Sequence, residues 1–97
     1  MAIVFNAPNI SLASASHGIY RLYDGNTLIY IGRAEGQGVT IRSRLQSHLN
    51  GHDGPCTQRA TGFDYEVTHT PGLRESIELA AYSTTYGRLP RCNERIG

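Results

Sequence analysis

The sequence predicts an α/β domain of the α+β type, a small three-stranded antiparallel sheet flanked by helices. Three observations carry this expectation. Residues 17–33, HGIYRLYDGNTLIYIGR, hold two short strand-like runs on either side of a turn. Residues 39–49 and 73–87 repeat apolar side chains at helical spacing, and residues 63–70 alternate apolar with polar. At 97 residues the chain has material for one modest core, so it is expected to form a single domain over 1–97.

In the first run, GIYRLYD, one face carries Gly18, Tyr20 and Leu22 and the other Ile19, Arg21 and Tyr23. In the second, TLIYIGR, Leu28, Tyr30 and Gly32 alternate with Ile29 and Ile31. The DGN between them tolerates the positive φ of a tight hairpin, and antiparallel pairing brings Tyr20 and Tyr30 within reach of one pocket. After the loop EGQG, the segment VTIRSRLQSHL places Ile41, Leu45 and Leu49 on one helical stripe, with Arg44 and His48 on its border. The Gly, Asn, Asp and Pro content of NGHDGPCTQRATG marks a loop.

A third strand, FDYEVTHT, alternates Phe63, Tyr65, Val67 and His69 with polar partners. The second helix starts at Thr70-Pro71, with Thr70 as its cap, and stops at Gly87. Leu73, Ile77, Ala80, Ala81 and Thr84 share one face of it, and Glu78 lies outside that cluster, one turn beyond Arg74. The tail RLPRCNERIG is polar and broken by proline.

With 39% hydrophobic and 18% charged residues, the composition is that of a globular domain and excludes the disordered and fibrous classes. No apolar run is long enough to span a bilayer, and the start MAIVFNAPNISLASAS lacks the basic and apolar regions of a secretory signal. The expected setting is cytoplasmic, with Cys56 and Cys92 as free thiols rather than one bridge. Their spacing from His52 matches no common zinc finger or ribbon.

All nine basic residues are arginine. Arg33, Arg42 and Arg44 form one local basic segment and Arg88, Arg91 and Arg95 another, with a net acidic stretch between them. Two such segments on a chain of net charge +1 suit a small anionic site better than a broad electrostatic footprint. Arginine's planar fork matches phosphate oxygens, whereas solvated surface arginines are the bland alternative.

These residues together resemble the GIY-YIG nuclease domain, over about Gly18 to Asn93. The resemblance rests on GIY and YIG separated by RLYDGNTLI, an arginine in the following helix, a glutamate in a later helix, and an asparagine just after a proline. Position by position it aligns Tyr20 and Tyr30 with the two motif tyrosines, Gly32 with the closing glycine, Arg44 with the helix arginine, and His48 with a position that holds histidine or tyrosine. It aligns Glu78 with the metal-binding glutamate, with Glu75 as the competitor, and Asn93 with the late asparagine. Glu78 is preferred because its spacing to Asn93 is similar to that of phage intron-homing members. Arg33 stands where repair-type members carry lysine, and with Arg42 and Gly32 it makes up the expected phosphate-contacting set.

The resemblance implies a metal-dependent endonuclease that hydrolyses DNA and leaves a 5′-phosphate. Cleavage needs a nucleophilic water, a cation on the phosphate oxygens and a route for the proton. Glu78 alone would hold one Mg²⁺ or Mn²⁺ that keeps most of its waters. Arg44 would neutralise the phosphate. Tyr20 is the implied general base, which requires Arg33, Arg44 or the metal to depress a phenol pKa of about 10; His48, near 6.5 unperturbed, is the alternative base. Target choice could come from a branched or flap DNA structure, from a partner protein, or from a homodimer of low sequence preference. A module of the same fold that binds nucleic acid without cleaving it is the second function class.

Overall fold

The computed structural model describes residues 2–93; Glu94 and Arg95 of the basic tail lie outside the described residues. Its elements, in order, are β1 (Ile3–Val4), α1 (Ala7–Ser11), β2 (Gly18–Asp24), β3 (Thr27–Ala34), α2 (Ile41–Leu49), α3 (Pro55–Gln58), β4 (Gly62–Val67) and α4 (Pro71–Tyr86). The strands form one antiparallel sheet in the order β1-β4-β2-β3. That is one strand more than the sequence predicts. β1 pairs only Ile3 with Phe63 and Val4 with Gly62, and two residues are too few to show an alternation.

One sheet face carries the core. Tyr20 and Leu22 of β2, Tyr30 of β3 and Phe63 of β4 pack there against Ile10 and Ala13 from the α1 region and Ile41 and Leu45 of α2. The predicted stripe of α2 therefore lies inward. Thr40 caps the helix: its hydroxyl accepts from the Ser43 N–H while the Ser43 hydroxyl accepts from the Thr40 N–H.

α4 crosses the opposite face with an inverted orientation. An amphipathic helix is expected to bury its apolar stripe, yet Leu73 and Ile77 are 61% and 47% exposed, and Ala80, Ala81 and Thr84 are exposed as well. The side turned to the sheet is charged. Arg21 Nη1 donates to Glu78 Oε1 at 2.7 Å and Arg21 Nε to Asp64 Oδ1 at 2.6 Å. Arg74 grips both oxygens of Glu66 at 2.7 and 3.0 Å. Paired, half-buried charges thus set the rotation of this helix. Its Thr70 end shows no side-chain cap, contrary to the sequence expectation: the Thr70 hydroxyl lies 3.3 Å from the Thr68 hydroxyl instead, which also accepts from the Thr70 N–H. It ends at Gly87 as expected.

The segment 50–62, read as loop from its composition, contains the short helix α3, and this changes the cysteine chemistry. α3 carries Cys56 to within a Cα–Cα distance of 5.7 Å of Cys92, and the two form a disulfide. The expectation of free thiols is corrected, and the thiol argument for a reducing compartment lapses with it. The tail also closes the outer edge of the sheet. The Cys92 N–H donates to the Ile29 carbonyl at 2.8 Å, and the Asn93 amide both accepts from the Ile31 N–H and donates to the Ile31 carbonyl at 2.9 Å. Among the described residues no helix is long and apolar enough to cross a membrane.

Candidate active site

The hairpin register decides where the two motif tyrosines meet. Tyr20 stands opposite Gly32, and Leu22 opposite Tyr30, so the tyrosines are diagonal neighbours on one face with ring centroids 6.1 Å apart. Gly32 makes this possible. A Cβ there would lie 2.5 Å from the Tyr20 hydroxyl oxygen and 2.7 Å from Tyr30 Cε2. The space over Gly32 is thus filled by the Tyr20 ring. At Gly18 a Cβ would collide with the Glu66 carbonyl of the neighbouring strand.

α2 brings Arg44 and His48 to the same place. The His48 ring sits 5.4 Å from the Tyr20 ring and 5.0 Å from the Tyr30 ring, and its Nε2 lies 2.8 Å from the Tyr20 hydroxyl. His48 Nδ1 lies 2.8 Å from Thr57 Oγ1. Arg44 Nη2 donates to Asp53 Oδ1 at 3.3 Å, and the Ser47 hydroxyl donates to Asp53 Oδ2 at 2.8 Å. A cavity of about 510 Å³ opens in front, lined by Tyr30, Arg44, His48 and Asp53 together with α3 and the disulfide. Asp53 and Thr57 are absent from the sequence-derived site. The loop they occupy offered only its glycines and proline, and loops held on a rigid scaffold carry chemistry as readily as helices do.

Burial governs the proton affinities here. Tyr20 has no accessible surface, and burial, followed by the neighbouring Tyr30, raises its phenol pKa well above the ordinary value; Arg44 pulls the other way. Arg44 by itself therefore does not bring about the expected depression of Tyr20, because burial outweighs it. Burial also raises Tyr30, again opposed by Arg44. His48, 1% exposed, is pushed down to about 4 by burial, with Arg44 adding to this and Asp53 opposing it, so its imidazole is neutral at pH 7. Asp53 is lowered: burial alone would raise it, but the Ser47 hydroxyl, His48 and Arg44 outweigh that.

The two glutamates differ sharply. Glu78 has both oxygens engaged, Oε1 by Arg21 at 2.7 Å and Oε2 by Arg74 at 3.4 Å. The Glu75 side chain is 22% exposed and accepts no hydrogen bond among the described residues, its nearest cation being Arg33 Nε at 3.8 Å. Burial raises the Glu75 pKa against the pull of Arg33, and its charge acts on Tyr30. Arg33 is half exposed between Glu35 and Glu75. Arg42 lies apart from the cavity lining, its Nε donating to the Ala13 carbonyl at 2.9 Å. Asn93 has its whole amide on the Ile31 backbone, where it holds the strand that carries Tyr30.

No protein-family model and no curated protein sequence matches the chain. Solved structures do. The GIY-YIG N-terminal endonuclease domain of UvrC from Thermotoga maritima, bound to its catalytic divalent cation magnesium, superposes with a TM-score of 0.61 at 24% identity, covering 88% of this chain and 91% of that one. The chain has a GIY-YIG-like fold. An asparagine-to-alanine and a tyrosine-to-phenylalanine point mutant of the same UvrC domain, each bound to the catalytic divalent cation, give TM-scores of 0.59 and 0.58 at 24% identity. Each covers 88% of this chain and 90% of the UvrC chain. On this GIY-YIG-like scaffold the two motif tyrosines, Arg44 and His48 gather at one end of the sheet face, while Glu75 and Glu78 come from the helix behind it.

Proposed function

We propose that this chain is a metal-dependent endonuclease that hydrolyses DNA phosphodiester bonds, acting as one domain over 1–97. The observation that carries the reading is the cavity bordered by Tyr30, Arg44 and His48 with the Tyr20 hydroxyl bonded directly behind it. An arginine at the mouth of such a cavity takes the scissile phosphate, and its fork neutralises charge as the phosphorus is attacked. Tyr20 accepts the proton of the attacking water. His48, whose two ring nitrogens are both engaged, works through Tyr20 rather than on the water. Tyr30 and Gly32 shape the pocket, Asn93 holds β3, and Arg33 stands beside the carboxylate.

Glu75, rather than Glu78, is the carboxylate that would hold the ion. A partly buried carboxylate without a hydrogen-bond donor suits a divalent cation, whereas Glu78 is already neutralised by two arginines. Among the described residues no group of three or more His, Cys, Asp or Glu gathers, which fits an ion that keeps most of its waters. When bound, Mg²⁺ or Mn²⁺ supplies positive charge to the phosphate oxygens and lowers the pKa of a coordinated water. Substrate choice would come from a flap or branch in the DNA, a partner protein, or a homodimer.

The total burial of Tyr20 favours a second reading, a module that binds nucleic acid without cutting it. Incubation of the purified protein with plasmid, flap and single-stranded DNA separates the two. The nuclease reading expects cleavage of at least one substrate in Mg²⁺ or Mn²⁺, 5′-phosphate ends, and no cleavage in EDTA. Binding to all three with no product establishes the second reading instead.

A further inference from the structure

Behind the cavity, His48 is also in contact with Thr57 and Asp53, two residues to which the proposed reaction gives no role. A neutral imidazole carries one N–H, and a carboxylate only accepts hydrogen bonds. His48 Nδ1 faces Thr57 Oγ1 at 2.8 Å and Asp53 Oδ2 at 3.6 Å, whereas Nε2 faces the Tyr20 hydroxyl at 2.8 Å. At 3.6 Å the carboxylate is beyond hydrogen-bond reach, but its negative charge favours the proton on Nδ1, where Thr57 Oγ1 accepts it. Nε2 is then a bare lone pair, and the Tyr20 O–H donates to it. His48 and Thr57 are 1% and 3% exposed, so no bulk water competes for either nitrogen. Asp53 is fixed in turn by the Ser47 hydroxyl and by Arg44, which lies beside Tyr20. The charged or titratable groups facing His48 are thus Tyr20 of β2, Tyr30 of β3, Arg44 of α2 and Asp53 of the following loop.

We infer that Asp53 and Thr57 are positioning residues: they hold His48 as the Nδ1–H tautomer, so that Nε2 is open to take the Tyr20 proton while Tyr20 takes one from the attacking water. The catalytic part of this inference rests on the nuclease reading; the tautomer does not. The water oxygen bonds to phosphorus, its proton passes to the Tyr20 oxygen, and the Tyr20 proton passes to His48 Nε2. The P–O3′ bond breaks, and the departing 3′ oxygen takes a proton from solvent water. The imidazolium formed has Asp53 at its far side, the logic of an acid that orients and stabilises a histidine without itself accepting the proton.

The test has two arms. In the first, ¹⁵N NMR of the histidine ring nitrogens, without DNA, reads the His48 tautomer. Nδ1–H with a bare Nε2 is expected in wild type, and Thr57→Val should erode it while Thr57→Ser keeps it. Nε2–H as the main wild-type form overturns the proposal. In the second, Asp53→Asn and Thr57→Val should lower kcat by about 10- to 100-fold, the scale for losing a group that orients a functional imidazole, with KM little changed and Thr57→Ser restoring the rate. Asp53→Asn should also shift the acidic limb of the pH–rate profile; a variant with wild-type kcat and an unshifted profile overturns the catalytic role. Wild type that cleaves nothing counts against the nuclease reading itself, and the first arm then decides the proposal alone.

Discussion

Gly32 has no side chain because the Tyr20 ring occupies the place where one would begin. Gly32→Ala forces that ring or Tyr30 aside, and the overpacking should lower stability by roughly 1 to 3 kcal/mol in denaturant unfolding; an unchanged midpoint would mean that the two rings are not fixed there. His48 gives a pH prediction whose sign follows from its direction of shift. Its pKa is lowered from 6.5 to about 4, so between those values the unfolded chain binds the extra proton. Stability from this group is complete above pH 6.5 and is lost as pH falls toward 4, by ~3 kcal/mol. Thermal unfolding across that window should show the loss, and His48→Gln should remove this part of the slope. The motif resemblance singled out Tyr20, Tyr30, Arg44 and His48, and strand alternation and helical spacing fixed the faces on which they lie. Asp53 and Thr57 could not, because the loop after α2 turns through Gly51 and Gly54 and no periodicity says where its side chains point.

Among the elements, α4 shows where pattern reasoning fails. The apolar cluster of Leu73, Ile77, Ala80, Ala81 and Thr84 is the face that periodicity alone would bury, yet the ion pairs of Arg21 and Arg74 turn it to solvent. The same rotation separates the two glutamates. Three residues apart, they differ by about 60° around the axis, enough to set Glu78 among arginines and Glu75 beside Arg33. Spacing gives the angle between them but not which of the two meets the arginines, since Arg21 lies on β2 and Arg33 on β3. Arg21→Ala leaves Asp64 and Glu78 short of a partner in a half-buried site. It should cost roughly 1 to 3 kcal/mol in denaturant unfolding and lower any metal-dependent rate through Glu75. Unchanged stability would show that the network does not set the helix.

At the scale of the whole molecule, the hairpin, the third strand and both long helices were readable from sequence, and the closure of the chain was not. β1, α1 and α3 are too short for periodicity to register, and the Cys56–Cys92 bridge depends on α3. That bridge closes a loop between residues 36 apart in sequence, and its reduction should lower stability by roughly 4 kcal/mol on the chain-entropy model. Unfolding with and without reductant, and of Cys56→Ser with Cys92→Ser, checks it; equal midpoints would remove the bridge from the account. The fold, the tyrosine pocket and a partly buried Glu75 carboxylate that accepts no hydrogen bond among the described residues support the central proposal, that a divalent ion held at Glu75 enables cleavage beside Tyr20 and Arg44. The direct measurement is the Mg²⁺-dependent cleavage rate of Glu75→Gln against Glu78→Gln. A loss of about 100-fold or more is expected for Glu75→Gln, on the scale of removing a charge-stabilising group, and a smaller loss for Glu78→Gln. Cleavage by Glu75→Gln at the wild-type rate would contradict it.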